Sequence, residues 1–137
     1  MKVKYNILIV DDEVLACNYL SNIIEKKAGQ NYNITAVHSG ECAVCLVSKV
    51  KYNMVLLDIM MPGIGGMEAL KRIKQVSQNK NICVVMLTSL VNETFAKHAI
   101  AEGATDYITK PVDIDYLINT VLPVYTVMSL NSDDCDT

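Results

Sequence analysis

Five residues able to do chemistry stand at or just past the ends of short apolar runs. Asp11 and Asp12 follow Tyr5 to Val10, and Asp58 follows Met54-Val55-Leu56-Leu57. Thr88 follows Ile82 to Leu87, and Lys110 follows Asp106-Tyr107-Ile108-Thr109. If the runs are parallel strands, their carboxyl ends share one rim, where ligands sit in open α/β sheets. Three carboxylates, a hydroxyl and an ammonium then converge. Carboxylates so close raise each other's pKa unless a counter-charge compensates. Mg²⁺ suits such a set, because it prefers oxygen ligands and is held by one or two carboxylates plus a phosphate. A carboxylate can act as a nucleophile, and aspartyl phosphate is one of its products. Phosphoryl transfer requires the equatorial oxygens to be neutralised. The metal would cover one, Lys110 a second and the Thr88 hydroxyl a third. Each residue alone has a plainer reading: a turn or cap Asp, a loop Thr, a surface Lys.

The elements that must position these groups are legible in the hydrophobic pattern. Runs bounded by turn signals, such as Met54 to Leu57 before Pro62-Gly63, read as strands buried on both faces. Between them lie helical stretches. The first carries Val14, Leu15, Tyr19, Leu20, Ile23 and Ile24 at steps of three and four, expected on one face, and closes at Lys26, Lys27 and Gly29. Ser39-Gly40-Glu41 opens a second helix, Gly65-Gly66 a third, Asn92 a fourth ending at Gly103, and Asp113 a fifth that Pro123 should kink or end. One of Asp11 and Asp12 is expected to cap the first helix. Five alternations of strand and helix predict a parallel sheet with helices on both faces.

The chain of 137 residues is expected to form one domain with a sizeable core. No apolar run approaches the roughly 18 residues of a membrane span, and Met1 to Asn6 leads straight into a strand, unlike a signal peptide. A cytoplasmic protein is expected. The odd count of five cysteines argues against a disulfide framework. Cys42 and Cys45 form a lone CxxC without a second pair to complete a zinc site. His38 and His98 read as surface residues without partners. From Val112 to Thr137 there is no Lys or Arg, and net charge is −3. Phosphate contacts need basic side chains, so no nucleic-acid surface is expected there. Lys71, Arg72 and Lys74 read as a solvated helix face.

The chain resembles the response regulator receiver domains of two-component signalling over roughly residues 4 to 126. The fragments that carry the resemblance are Ile-Leu-Ile-Val-Asp11-Asp12-Glu13, Leu57-Asp58-Ile-Met-Met-Pro62-Gly63, Leu87-Thr88-Ser89 and Gly103-Ala-Thr-Asp-Tyr107-Ile-Thr-Lys110-Pro111. The resemblance implies a flavodoxin-like, doubly wound (βα)5 fold with strand order 2-1-3-4-5. It implies that Asp58 is the phosphoacceptor, and that Asp11, Asp12, Asp58 and the Met60 carbonyl bind Mg²⁺, with Mn²⁺ as a substitute. Thr88 would be the switch hydroxyl, Tyr107 the aromatic that swings inward on activation, and Lys110-Pro111 a cis peptide. The implied partner is a sensor histidine kinase or phosphotransfer protein, with self-association through the fourth helix, fifth strand and fifth helix. Catalysis would be limited to the domain's own phosphorylation and dephosphorylation.

Two departures are informative. Met60 and Leu90 stand two residues past Asp58 and Thr88, where the family tunes hydrolysis, and apolar side chains there should orient water poorly. Gly65 replaces a frequent Asp, read as loop variation. The last helix is more apolar than one buried face requires, through Leu117, Ile118, Val121, Leu122, Val124, Tyr125, Val127, Met128 and Leu130, so any contact there should be mainly apolar. The receiver is expected over 1–126, with 127–137 an acidic tail or the start of a linker. Two other functions fit the residues less well. An aspartate-nucleophile phosphohydrolase would want a second acid where Met60 stands and a substrate-covering cap domain. A flavodoxin-like electron carrier would want a Ser/Thr/Gly-rich loop in place of Asp11-Asp12-Glu13.

Overall fold

The computed structural model describes residues 4–89 and 93–130. Leu90, the Asn92 cap and the tail from Asn131 lie outside the described residues. Five strands, β1 (Tyr5–Val10), β2 (Tyr32–Val37), β3 (Met54–Asp58), β4 (Cys83–Thr88) and β5 (Asp106–Thr109), form one sheet in the order β2-β1-β3-β4-β5. Every neighbouring pair is parallel. The expected flavodoxin-like, doubly wound arrangement is therefore observed. Helices α1 (Val14–Ala28), α2 (Gly40–Lys49), α3 (Gly65–Val76) and α4 (Glu93–Ala101) connect the strands.

The strand runs are continuously apolar because both faces are covered, and successive side chains alternate between them. Leu8, Val10, Val55, Leu57, Val84 and Met86 join a core with Ala43 and Val47 of α2 and Ala69, Leu70 and Ile73 of α3. Ile7, Ile9, Met54, Leu56, Val85 and Leu87 join a second core with Cys17, Leu20 and Ile24 of α1 and Leu117, Val121 and Leu122 near the C-terminus. Each fully buried aliphatic side chain contributes roughly 1.5–3 kcal/mol.

The buried stripe of α1 differs from expectation. Cys17, Leu20 and Ile24 face the sheet, whereas Val14 and Tyr19 are exposed and Leu15 is 85% exposed. Neither aspartate caps this helix, since Glu13 takes the cap position without a side-chain bond. Asp11 Oδ1 instead accepts the Glu13 N–H at 3.0 Å. The Ser39 and Asp113 caps are present, accepting from the Cys42 and Tyr116 amides.

The last helix does not end at Pro123. It begins as α5 (Ile114–Tyr116), loosens into a π-helical segment (Leu117–Val121) and continues as α6 (Leu122–Met128). The Leu122 N–H bonds to the Leu117 carbonyl, five residues back. Proline has no N–H and its ring crowds the carbonyl four residues earlier; a widened turn just before Pro123 accommodates both effects. Beyond α6, Asn79 Nδ2 donates to the Ser129 carbonyl at 3.0 Å, and Asn81 Nδ2 to the Leu130 carbonyl at 3.2 Å. Packing thus continues past residue 126.

Two glycines place the loop after β3. Gly65 has φ of +76°, and open space surrounds the place a Cβ would take, so its backbone conformation rather than crowding selects glycine. A Cβ on Gly66 would lie 2.3 Å from the Asp58 carbonyl oxygen, so only glycine lets α3 start against the end of β3.

Candidate functional site

Strand order reverses between β1 and β3, which opens a crevice at their carboxyl ends. Asp11, one residue past β1, is 3% exposed, and Asp58, the last residue of β3, is 6% exposed. Asp12 is more exposed, yet one oxygen from each of Asp11, Asp12 and Asp58 lies within 4.8 Å of the others. Lys110 reaches in from beyond β5. Its Nζ donates to Asp11 Oδ2 at 2.9 Å and to Asp58 Oδ2 at 3.3 Å. The other Asp58 oxygen accepts the Met60 N–H at 3.2 Å. Lys110-Pro111 is cis, and the Lys110 N–H donates to the Thr88 carbonyl at 2.7 Å, which fixes the lysine to the end of β4.

Burial pushes the Asp58 carboxyl above the usual range, and the Asp11 charge adds to this, while Lys110 and the Met60 N–H act against it. Burial alone would lower the Lys110 ammonium. The bond to Asp11 and the two carboxylate charges outweigh that and raise it. Burial and Asp11 also push the nearby Cys17 thiol to about 11, so it stays protonated and inert. Three carboxylates against one ammonium leave two negative charges, and the donors are all oxygen. That donor set fits one hard divalent cation.

A cavity of about 540 Å³ opens onto these groups. Asp11, Asp58 and Lys110 line it together with Met60, Ser89, Tyr19 and Ile114. A larger open depression, about 770 Å³, lies by Lys4, Lys26, Lys27 and Asn31 at the amino end of β2 and gathers no comparable cluster. The chemistry decides between them, not the volume.

Of the residues expected at the rim, Asp11, Asp12, Asp58 and Lys110 come together. Thr88 is buried at the end of β4, beside β3. Met60 is 58% exposed at the cavity wall. Tyr107 stands apart from the acids, 42% exposed, in a cleft with Ala96, Lys97 and Ile100 of α4.

His38 is not the partnerless residue expected, since its Nδ1 lies 3.1 Å from the Asp11 carbonyl oxygen. The Glu41 carboxylate lies against Gly63, in the loop that follows Asp58. Neither has a sequence signal, because each depends on β2 and α2 docking beside the rim. Cys17 and Cys83 are buried, Cys42 and Cys45 are exposed, and all four are free thiols.

The family model for the response regulator receiver domain matches residues 7–122. Protein PilH of Pseudomonas aeruginosa is 34% identical over 115 residues, covering 84% of this chain and 93% of that protein. The transcriptional regulatory protein ZraR of Salmonella typhimurium is 34% identical over 118 residues, which are 86% of this chain. The chain spans only 26% of the length of that relative. Among solved structures, the receiver domain of the Francisella response regulator 1452 superposes with a TM-score of 0.78 at 27% identity, covering 90% of this chain and 98% of that one. The chemotaxis protein CheY4 of Vibrio cholerae gives 0.80 at 24% identity over 89% of this chain and 99% of that one, which supports the fold alone. The acidic rim, its bridging lysine and a family match across most of the chain lead to one assignment: this chain belongs to the response regulator receiver domains of two-component systems.

Proposed function

We propose that Asp58 accepts a phosphoryl group from a sensor histidine kinase or phosphotransfer protein and thereby switches a protein-interaction surface. The observation that carries this is the Lys110 ammonium bridging Asp11 Oδ2 and Asp58 Oδ2 at a rim of three carboxylates. In the transfer, an Asp58 oxygen attacks phosphorus as the bond to the donor's imidazole nitrogen breaks, and the imidazole leaves with that electron pair. Asp11, Asp12, Asp58 and the Met60 carbonyl would hold Mg²⁺, with Mn²⁺ as the substitute. The bound ion would offset charge on the phosphoryl oxygens. Lys110 would exchange part of its bond to the Asp58 carboxylate for one to a phosphoryl oxygen. Thr88 would turn its hydroxyl toward another.

Tyr107, in its cleft beside α4, would then move inward and shift an existing equilibrium between two surfaces. The output surface would be the face of α4, β5 and the last helix. Apolar side chains such as Ile100, Val124, Val127 and Met128 are exposed on these helices, and self-association would use this surface. Among the described residues no helix is long and apolar enough to cross a membrane, and the free thiols accord with a reducing compartment. The cytoplasm is the expected location. Hydrolysis of external substrates is disfavoured because Met60 occupies the position of the second acid.

Incubation with acetyl phosphate and Mg²⁺, followed by mass spectrometry, tests the reading. The wild type should gain one base-labile phosphoryl group, and Asp58→Asn none. Full labelling of Asp58→Asn would overturn the assignment.

A further inference from the structure

β5 is a short edge strand, four residues long and paired only with β4. Its outer side must therefore be fixed by something other than a ladder. Among the described residues, the Asp106 carboxylate ties it to the last helix. Its Oδ2 accepts the Tyr125 hydroxyl at 2.6 Å, and its Oδ1 accepts the Tyr107 N–H at 2.8 Å. One carboxylate thus joins the backbone of Tyr107 to the last helix.

The helix around Tyr125 has the mechanics of a readout. Its C-terminal end is pinned, because Ser129 accepts from Asn79 through its carbonyl and from Asn53 Nδ2 through its hydroxyl, at 3.0 Å each. Its N-terminal side is joined through the π-helical segment Leu117–Val121, a widened turn of the kind found as single bulges within α-helices, frequently at functional sites. Tyr125 sits between the two, next to the exposed Val124 and close to the exposed Val127 and Met128. A displacement of Asp106 would therefore be taken up as a change in the π segment and a rotation of α6, not as sliding of the whole helix. A phenol donating to a carboxylate is also among the stronger hydrogen bonds available to neutral donors. In keeping with this, the bond to Asp106 holds the Tyr125 phenol up at about 12.

We propose that Tyr125 is a positioning residue: through Asp106 it latches the last helix to the strand that carries Tyr107, so that a change at Asp58 is transmitted to the Val124–Val127–Met128 surface. This rests on the phosphoacceptor reading of Asp58. Tyr125 lies outside the acidic rim, so its loss leaves the acceptor chemistry intact and uncouples only the response.

The test uses the full chain as wild type, Tyr125→Phe and Asp106→Asn, each with and without acetyl phosphate and Mg²⁺. Two quantities are read: phosphoryl incorporation by mass, and amide hydrogen exchange over β5 and residues 117–128. In the wild type, phosphorylation should change exchange of residues 117–128 by roughly tenfold, the size implied by remaking one hydrogen bond to a charged acceptor. Tyr125→Phe should incorporate the same phosphoryl group and retain the exchange change in β5, but lose most of it in residues 117–128. Asp106→Asn, which preserves size and weakens the bond, should behave alike. Protection of residues 117–128 in unphosphorylated Tyr125→Phe should stay close to wild type; a helix already unprotected in that state would mark the bond as merely structural and overturn the latch. A full wild-type response in labelled Tyr125→Phe overturns the latch alone. Absence of label in the wild type overturns both the latch and the reading beneath it.

Discussion

Lys110 Nζ stands 3.3 Å from Asp58 Oδ2, although 52 positions separate the two residues in sequence. The same ammonium is closer to Asp11, at 2.9 Å. Asp58 is therefore the less firmly held of the two acids. It is also the one whose carboxyl burial pushes up. Burial and the Asp11 charge thus act on Asp58 against the Lys110 ammonium that holds it.

That arrangement has a stability consequence. A carboxyl whose folded pKa lies above its unfolded value of about 3.9 favours folding below that value and loses the contribution as pH rises through the folded pKa. Without metal, ionised Asp58 should therefore cost stability at pH 7. Asp58→Asn should be more stable than wild type in EDTA at pH 7, and the difference should shrink as the pH falls toward about 4, where the unfolded carboxyl takes up its proton. Millimolar Mg²⁺ should raise the wild-type midpoint and leave Asp58→Asn nearly unchanged. Urea titrations monitored by circular dichroism, with and without Mg²⁺, check both parts.

Met60 predicts a long-lived phosphoryl group. Met60 lines the same cavity as Asp58, and its side chain carries no group able to orient water. The double substitution Met60→Asn/Leu90→Glu should speed dephosphorylation by roughly tenfold or more, since positioned groups that take a proton from water contribute factors of that order and above. Decay of the labelled protein after donor removal measures this, and an unchanged half-life would count against the shielding role.

Asn79 should matter more than its distance from the chemistry suggests. It is 1% exposed, donates to the Tyr52 and Ser129 carbonyls, and accepts the Asn81 N–H. Asn79→Ala would leave these groups without their partner at a cost of about 2–4 kcal/mol. Asn81→Ala, which loses an exposed bond to the Leu130 carbonyl, should cost about 1 kcal/mol or less. Equilibrium denaturation of the two variants separates the cases.

Tyr125 should be visible in a phenolate titration. Its bond to Asp106, aided by burial, raises its pKa to about 12. A raised tyrosine favours the fold below its unfolded pKa of about 10 and loses that contribution as pH climbs through the folded value. Ultraviolet titration should show a late step near 12 that Tyr125→Phe removes. The stability advantage of wild type over that variant should be constant below about pH 10 and decline above it.

The sequence by itself determined the five strands, the rim they share and the identity of the groups on it. Those features are written locally: an apolar run such as Leu8-Ile9-Val10 must be covered on both faces, and the polar residue that ends it must lie at an edge. Tertiary structure decided what depends on docking. Helix α1 carries enough apolar residues for two stripes, and packing chose Cys17, Leu20 and Ile24, leaving Leu15 and Tyr19 outside. Pro123 could have ended its helix; the buried Leu117, Val121, Leu122 and Thr126 on either side of it keep the helix on the sheet through a π turn. The partners of Lys110, His38 and Tyr125 likewise lie far away in sequence, and no spacing announces them. A strand end fixes which group a residue presents, whereas only the assembled sheet and its helices fix what that group meets.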